Sequence, residues 1–89
     1  MLHIKSARHV SDFVLWIAFD DGTDGKINLE GTLIGPVFEP LRDISVFSKV
    51  MVDPELETVV WPNGADLAPE FLKDLHNKQM QSDARTSRR

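Results

Sequence analysis

The twelve residues Trp61-Pro62-Asn63-Gly64-Ala65-Asp66-Leu67-Ala68-Pro69-Glu70-Phe71-Leu72 hold a strand end, a tight turn and the start of a helix. Asn63-Gly64 offers the positive φ values that a tight turn needs, and Pro69 suits the first turn of a helix, where its missing N–H costs little. Asp66 is spaced to accept backbone N–H groups at the helix start and therefore reads as its cap. Trp61 closes the strand and can plug one end of a core. A second reading competes with this structural one: Asn63, Asp66 and Glu70 converge beside the Trp61 ring on a ligand or partner, which makes these four residues the candidate binding set.

Upstream, Phe13-Val14-Leu15-Trp16-Ile17-Ala18-Phe19 places Phe13, Leu15, Ile17 and Phe19 on one face of a strand and Val14, Trp16 and Ala18 on the other. Both faces are apolar, so this is a central strand. Leu2 to Val10 has the weaker pattern of an edge strand. The turn cluster Asp20 to Gly25, followed by Ile27 and Leu29, makes residues 13–29 a hairpin. Residues 31–46 are irregular, with Gly35-Pro36, Pro40 and Asp43 allowing only short helical turns. Lys49–Asp53 and Thr58–Trp61 form a second hairpin around Asp53-Pro54-Glu55. From Pro69 to about Met80, Phe71, Leu72 and Leu75 share one face at helical spacing, so a helix packs on the sheet. The expected fold is α+β: one antiparallel sheet of about five strands, made of two hairpins and an N-terminal strand, with one C-terminal helix. Residues 1–81 are expected to form one domain, and residues 82–89 a disordered basic tail.

The chain has 89 residues, a formal charge of −4 and no cysteine. The missing thiols exclude disulfides, thiolate catalysis and Cys-ligated zinc, and fit a reducing cytoplasm. Lys5, Arg8 and Asp12 interrupt the apolar residues near the N-terminus, and the longest apolar run is Phe13 to Phe19, so neither a signal peptide nor a membrane span is expected. Residues 1–81 carry seven basic side chains against thirteen acidic ones. Such a body repels phosphate backbones, which leaves nucleic-acid binding only to Arg85, Arg88 and Arg89 in the tail.

The signature at Trp61 to Leu72 resembles that of the small bacterial family known as domain of unknown function 2442, whose members carry W-x-N-G-x-D-[IL]-[AS]-P-E. The order of the remaining features matches as well: the apolar strand ending Phe19-Asp20-Asp21-Gly22, the Phe38 and Leu41 turn, the Phe47 step and the strand Val50-Met51-Val52-Asp53. The resemblance covers roughly residues 1–75. It implies a compact α+β domain on an antiparallel sheet. It also implies gene company with another small protein, in a toxin–antitoxin-like arrangement. Longer relatives carry a fused helix-turn-helix, for which this chain has no room.

Other constellations have plain readings. Asp20 to Gly25 fails as a calcium loop, because Gly22 and Gly31 stand where such a loop needs ligands. His3 and His9 lie about 20 Å apart on a strand at 3.3 Å per residue, too far to share a metal, and His3, His9 and His76 all read as surface residues. Ser6, Ser11, Ser45 and Ser48 lack a nucleophile elbow. Asp20 with Asp21, and Glu55 with Glu57, lie on or near turns where carboxylates titrate normally. No cofactor and no metal site is expected. Trp16 is either covered by the irregular segment through Val37, Phe38, Leu41 and Phe47, or it is the anchor of a protein interface. The sequence therefore points to a non-enzymatic protein-interaction or regulatory module, antitoxin-like and acting through a protein partner or homo-oligomer. The alternative is a small-molecule-binding or catalytic domain that uses Trp61, Asn63, Asp66 and Glu70.

Overall fold

The structure is a computed structural model that describes residues 1–87, with side chains as far as Gln81. Strand β1 (Ile4–Ser11) turns through Asp12-Phe13 into β2 (Val14–Phe19), which turns again into β3 (Asp24–Asn28). Asp12 takes the left-handed conformation that Asp tolerates better than most residues, with φ of 43°. β2 is the central strand, antiparallel to both neighbours, with Arg8 and Lys26 on either side of Trp16 and His9 and Ile27 on either side of Leu15. Alternation sorts the faces as the sequence predicts. Leu15, Ile17 and Phe19 are fully buried, while Val14, Trp16 and Ala18 are half-buried.

Two 3₁₀ turns (Glu30–Thr32 and Glu39–Arg42) and the one-turn helix α1 (Ile44–Phe47) follow. Asp43 caps α1, its carboxylate accepting the Ser45 N–H at 3.0 Å and the Ser45 hydroxyl at 2.7 Å. Strands β4 (Met51–Asp53) and β5 (Thr58–Val60) form the expected second hairpin. Helix α2 then runs over Pro69–Ser87.

The expected single sheet of about five strands is instead two three-stranded sheets, β1-β2-β3 and β4-β5-β6, where β6 is Asp66–Leu67. Two causes account for this. Asp66–Leu67, read from sequence as a helix start, is strand β6 and pairs with β5 as Val59 with Leu67 and Val60 with Asp66. Among the described residues a single backbone hydrogen bond links β1 to the second hairpin, from the Ile4 N–H to the Glu57 carbonyl at 2.9 Å, and Glu57 has a φ of 55° as the chain turns into β5. The sheets share one core instead of one ladder. Phe47 stands between them, its ring 5.4 Å from Phe13 in the β1–β2 turn and 5.7 Å from Trp61, which follows β5. Leu33, Leu41, Val59 and Leu72 complete that core. Each such burial is worth about 1.5–3 kcal/mol, a large share of the stability available to a chain this small.

Helix α2 runs beside β3, held by three side chains. The Lys73 ammonium reaches the Asp21 carboxylate at 3.0 Å, His76 packs over Gly25, and the Gln79 amide brackets Asn28, accepting its N–H at 3.0 Å and donating to its carbonyl at 2.9 Å. The Gln79 contact occupies backbone groups that an edge strand would otherwise present to solvent or to another chain. The apolar stripe differs from expectation at both ends. Phe71 is 43% exposed, while His76, expected at the surface, is buried. The helix extends past Met80. The expected disordered tail at 82–89 falls on residues whose side chains lie outside the described residues, as does the backbone of residues 88 and 89.

Candidate functional site

In the signature, Gly64 N–H donates to the Trp61 carbonyl at 2.9 Å and Trp61 N–H to the Ala65 carbonyl at 2.9 Å. Pro62, Asn63 and Gly64 thus form a three-residue hairpin loop, with Pro second in the turn and Gly64 left-handed at φ of 89°. Among the described residues Gly64 alone in this turn has positive φ, so Asn63 does not supply the second positive value expected of it. Its role is to brace the loop. The Asn63 amide oxygen accepts the Ala65 N–H at 3.1 Å, and its NH₂ donates to the Val37 carbonyl at 2.9 Å, tying the loop to the irregular segment.

Trp61 is buried, and its indole N–H donates to the Phe47 carbonyl at 2.8 Å. The one polar group of the ring is engaged inside the core. Asp66 is exposed, and among the described residues its carboxylate accepts no hydrogen bond. It does not cap α2: the first helical bond runs from the Leu72 N–H to the Ala68 carbonyl at 3.2 Å, so Ala68 occupies the cap position and Asp66 lies two residues earlier, inside β6. Glu70 is exposed in the first turn of α2, where a carboxylate complements the helix dipole. Of the four signature residues, two point their polar atoms at backbone and two face solvent.

A second constellation lies where the two sheets meet. His3 Nδ1 is 3.0 Å from Asp20 Oδ2 and its Nε2 is 3.2 Å from Glu57 Oε2, so one imidazole bridges carboxylates from the two hairpins. The His3 N–H also donates to Asp20 Oδ1 at 3.0 Å. That backbone bond, followed by the imidazole, holds the Asp20 carboxyl below its ordinary range. A cleft of about 410 Å³ opens here, lined also by Lys5, Val52 and Asp53. Its carboxylates are turned to local partners. Asp53 accepts the Glu55 and Leu56 N–H groups at 2.8 and 3.0 Å, closing its own turn. Among the described residues no three His, Asp or Glu side chains are placed to hold a metal.

Asp21 departs furthest from the ordinary titration expected of the turn carboxylates. The Thr23 hydroxyl at 2.6 Å, then the Lys73 ammonium at 3.0 Å and the Thr23 N–H at 3.0 Å, hold its carboxyl down to about 2. The Lys73 ammonium also lies 5.0 Å from the centre of the Phe19 ring. This network joins the β2–β3 turn to α2 and leaves no local sequence signal, because Lys73 is about fifty residues from Asp21 and Thr23.

The family described as Protein of unknown function (DUF2442) matches residues 4–76. The chain belongs to this DUF2442 family. The match runs from the first residue of β1 to His76 and so takes in both sheets and the start of α2. Neither the curated proteins nor the solved structures include one that matches the chain.

Trp16 has neither of the contacts that hold Trp61. Val37, Phe38, Leu41 and Phe47 are the cover that the sequence offers it, yet Phe47 lies against Phe13 and His9, which share the inner face with Leu15. Val14, Trp16 and Ala18 are not part of the core cluster and do not pack against it. The group over the Trp16 ring is the Arg8 guanidinium, 4.9 Å from its centre.

Proposed function

We propose that this DUF2442 protein is a non-enzymatic protein-interaction or regulatory module, the cytoplasmic, antitoxin-like partner of a second small protein. The observation that carries the reading is the contrast within the signature. Trp61 and Asn63, the two side chains best suited to grip a ligand, have their polar atoms on backbone carbonyls and N–H groups. The solvent-facing pair, Asp66 and Glu70, has no base or nucleophile hydrogen-bonded to it among the described residues, so general acid–base chemistry lacks its second member.

Support also comes from the outer face of the first sheet, where a tryptophan is left half-buried. Aromatic side chains in such positions are enriched at protein interfaces. Among the described residues no helix is long and apolar enough to cross a membrane. The test is coexpression with the product of the adjacent gene. Stable copurification at micromolar concentrations is the expected result, and failure of the purified pair to associate there would overturn the reading.

A further inference from the structure

We propose that the outer face of the first sheet, centred on Trp16, docks an acidic segment of a partner protein that carries an apolar side chain. The proposal rests on the interaction reading and adds to it a surface and a partner chemistry. Strand register builds the surface. Arg8, Trp16 and Lys26 form one row across the three strands, Ser6, Ala18 and Asp24 the next, and Ser11, Val14 and Asn28 the third. Val14, Trp16 and Ala18 therefore make an apolar ridge along β2, with a cation on each side of its centre.

The charge on this face departs from the rest of the chain. Arg8 and Lys26 stand against Asp24 alone, whereas the whole chain has ten Lys and Arg against fourteen Asp and Glu. Arg8 is also preorganised. Its guanidinium lies over the indole and makes no hydrogen bond among the described residues, so its N–H edge can take a carboxylate in the bidentate manner that suits Arg.

These features select among occupants. Nucleic acid would meet two cations on an acidic body whose long-range field repels phosphates. A second copy stacked face to face would bring Arg8 and Lys26 of one chain against the same pair of the other. An acidic segment pairs its carboxylates with Arg8 and Lys26 and lays its apolar side chain on Trp16, the combination of an aromatic anchor with a charged rim that specific interfaces use.

The probe is a fluorescein-labelled twelve-residue peptide of Glu and Ser with a central Leu-Phe pair, titrated with the full chain and followed by fluorescence polarisation. Saturable binding is expected, weakened about tenfold or more by the double change Arg8→Glu and Lys26→Glu and by raising salt, since rim charges are screened within a Debye length of about 8–10 Å. Both cations are exposed, so the double variant keeps its fold, and its melting curve verifies this. Trp16→Ala should weaken binding further. Any of four results overturns the proposal: equal binding of a peptide with Lys for Glu, tighter binding of a thymidine oligonucleotide, no effect of the charge reversal, or self-association in sedimentation that Trp16→Ala abolishes. Copurification with the adjacent gene product that survives the charge reversal would also overturn the surface while leaving the interaction reading intact. Peptide binding at Trp16 without that copurification would support the surface and count against that partner.

Discussion

The two tryptophans of this chain sit about as differently as two such residues can in one small domain. Trp61 is buried, lies against Phe47 and gives its indole N–H to the Phe47 carbonyl, so the strand end and α1 are joined through one ring. Trp16 lies on the opposite face of a central strand, half-buried, with a guanidinium over it. The conspicuous motif surrounds Trp61, yet its chemistry is directed inward. The open chemistry surrounds Trp16, in a stretch that carries no motif. A sequence signature can thus mark the residues that make the fold, while the surface that meets other molecules is left to strand alternation.

The strongest way to break this contrast is to truncate each ring. Trp61→Ala should cost about 3–5 kcal/mol, because it opens a core cavity and removes the indole hydrogen bond to the Phe47 carbonyl, and a chain this size would be largely unfolded. Trp16→Ala should cost about 1 kcal/mol, within the range of partly exposed sites. Denaturant melts of the two variants would show it. Equal losses would remove the distinction.

Gly25→Ala is expected to come next, at about 1–3 kcal/mol, the range for forcing an extra carbon into a packed site. A Cβ there would lie 2.2 Å from His76 Nε2, so the imidazole would have to leave. The double variant Gly25→Ala with His76→Ala should recover part of the loss. No recovery would mean that His76 is not what keeps position 25 a glycine.

Asp66→Ala should change stability by less than about 0.5 kcal/mol, as surface substitutions do, instead of the roughly 1 kcal/mol expected of a helix cap. A melting temperature lowered by several degrees, and restored in Asp66→Asn, would reinstate the cap.

The smallest effect is electrostatic. Asp21 is held down to about 2 by Thr23 and Lys73, below the value of about 3.9 that it has in an unfolded chain. The stabilisation from this network is therefore complete above about pH 4 and is lost as pH falls through roughly 4 to 2. Asp21→Asn should flatten that part of the stability–pH curve, and an unchanged curve would place the acid sensitivity elsewhere.

Much of the fold was legible in the sequence, for physical reasons that also explain where legibility stopped. Phe13 to Phe19 alternates strongly enough to fix both faces of β2, and Asp53-Pro54 announces the second hairpin. Asp66 misled because an aspartate shortly before a proline has the spacing of a cap, and a two-residue strand has no periodicity of its own to contradict it. The partners of Trp61 and Asn63 are carbonyls 14 and 26 residues away, which no local pattern encodes. His76 did leave a trace. It follows Leu72 by one helical turn, and a glycine inside a strand often marks the close approach of another group, which Gly25 does.

Acrylamide quenching of the two single-tryptophan chains, Trp61→Phe and Trp16→Phe, tests the opposition of the two rings most directly. With Trp16 as the sole indole, fluorescence should fall steeply with quencher; with Trp61 as the sole indole, the plot should stay nearly flat under conditions where both chains are folded. Equal slopes, or a steeper one for Trp61, would contradict the assignment of one ring to the core and the other to the surface.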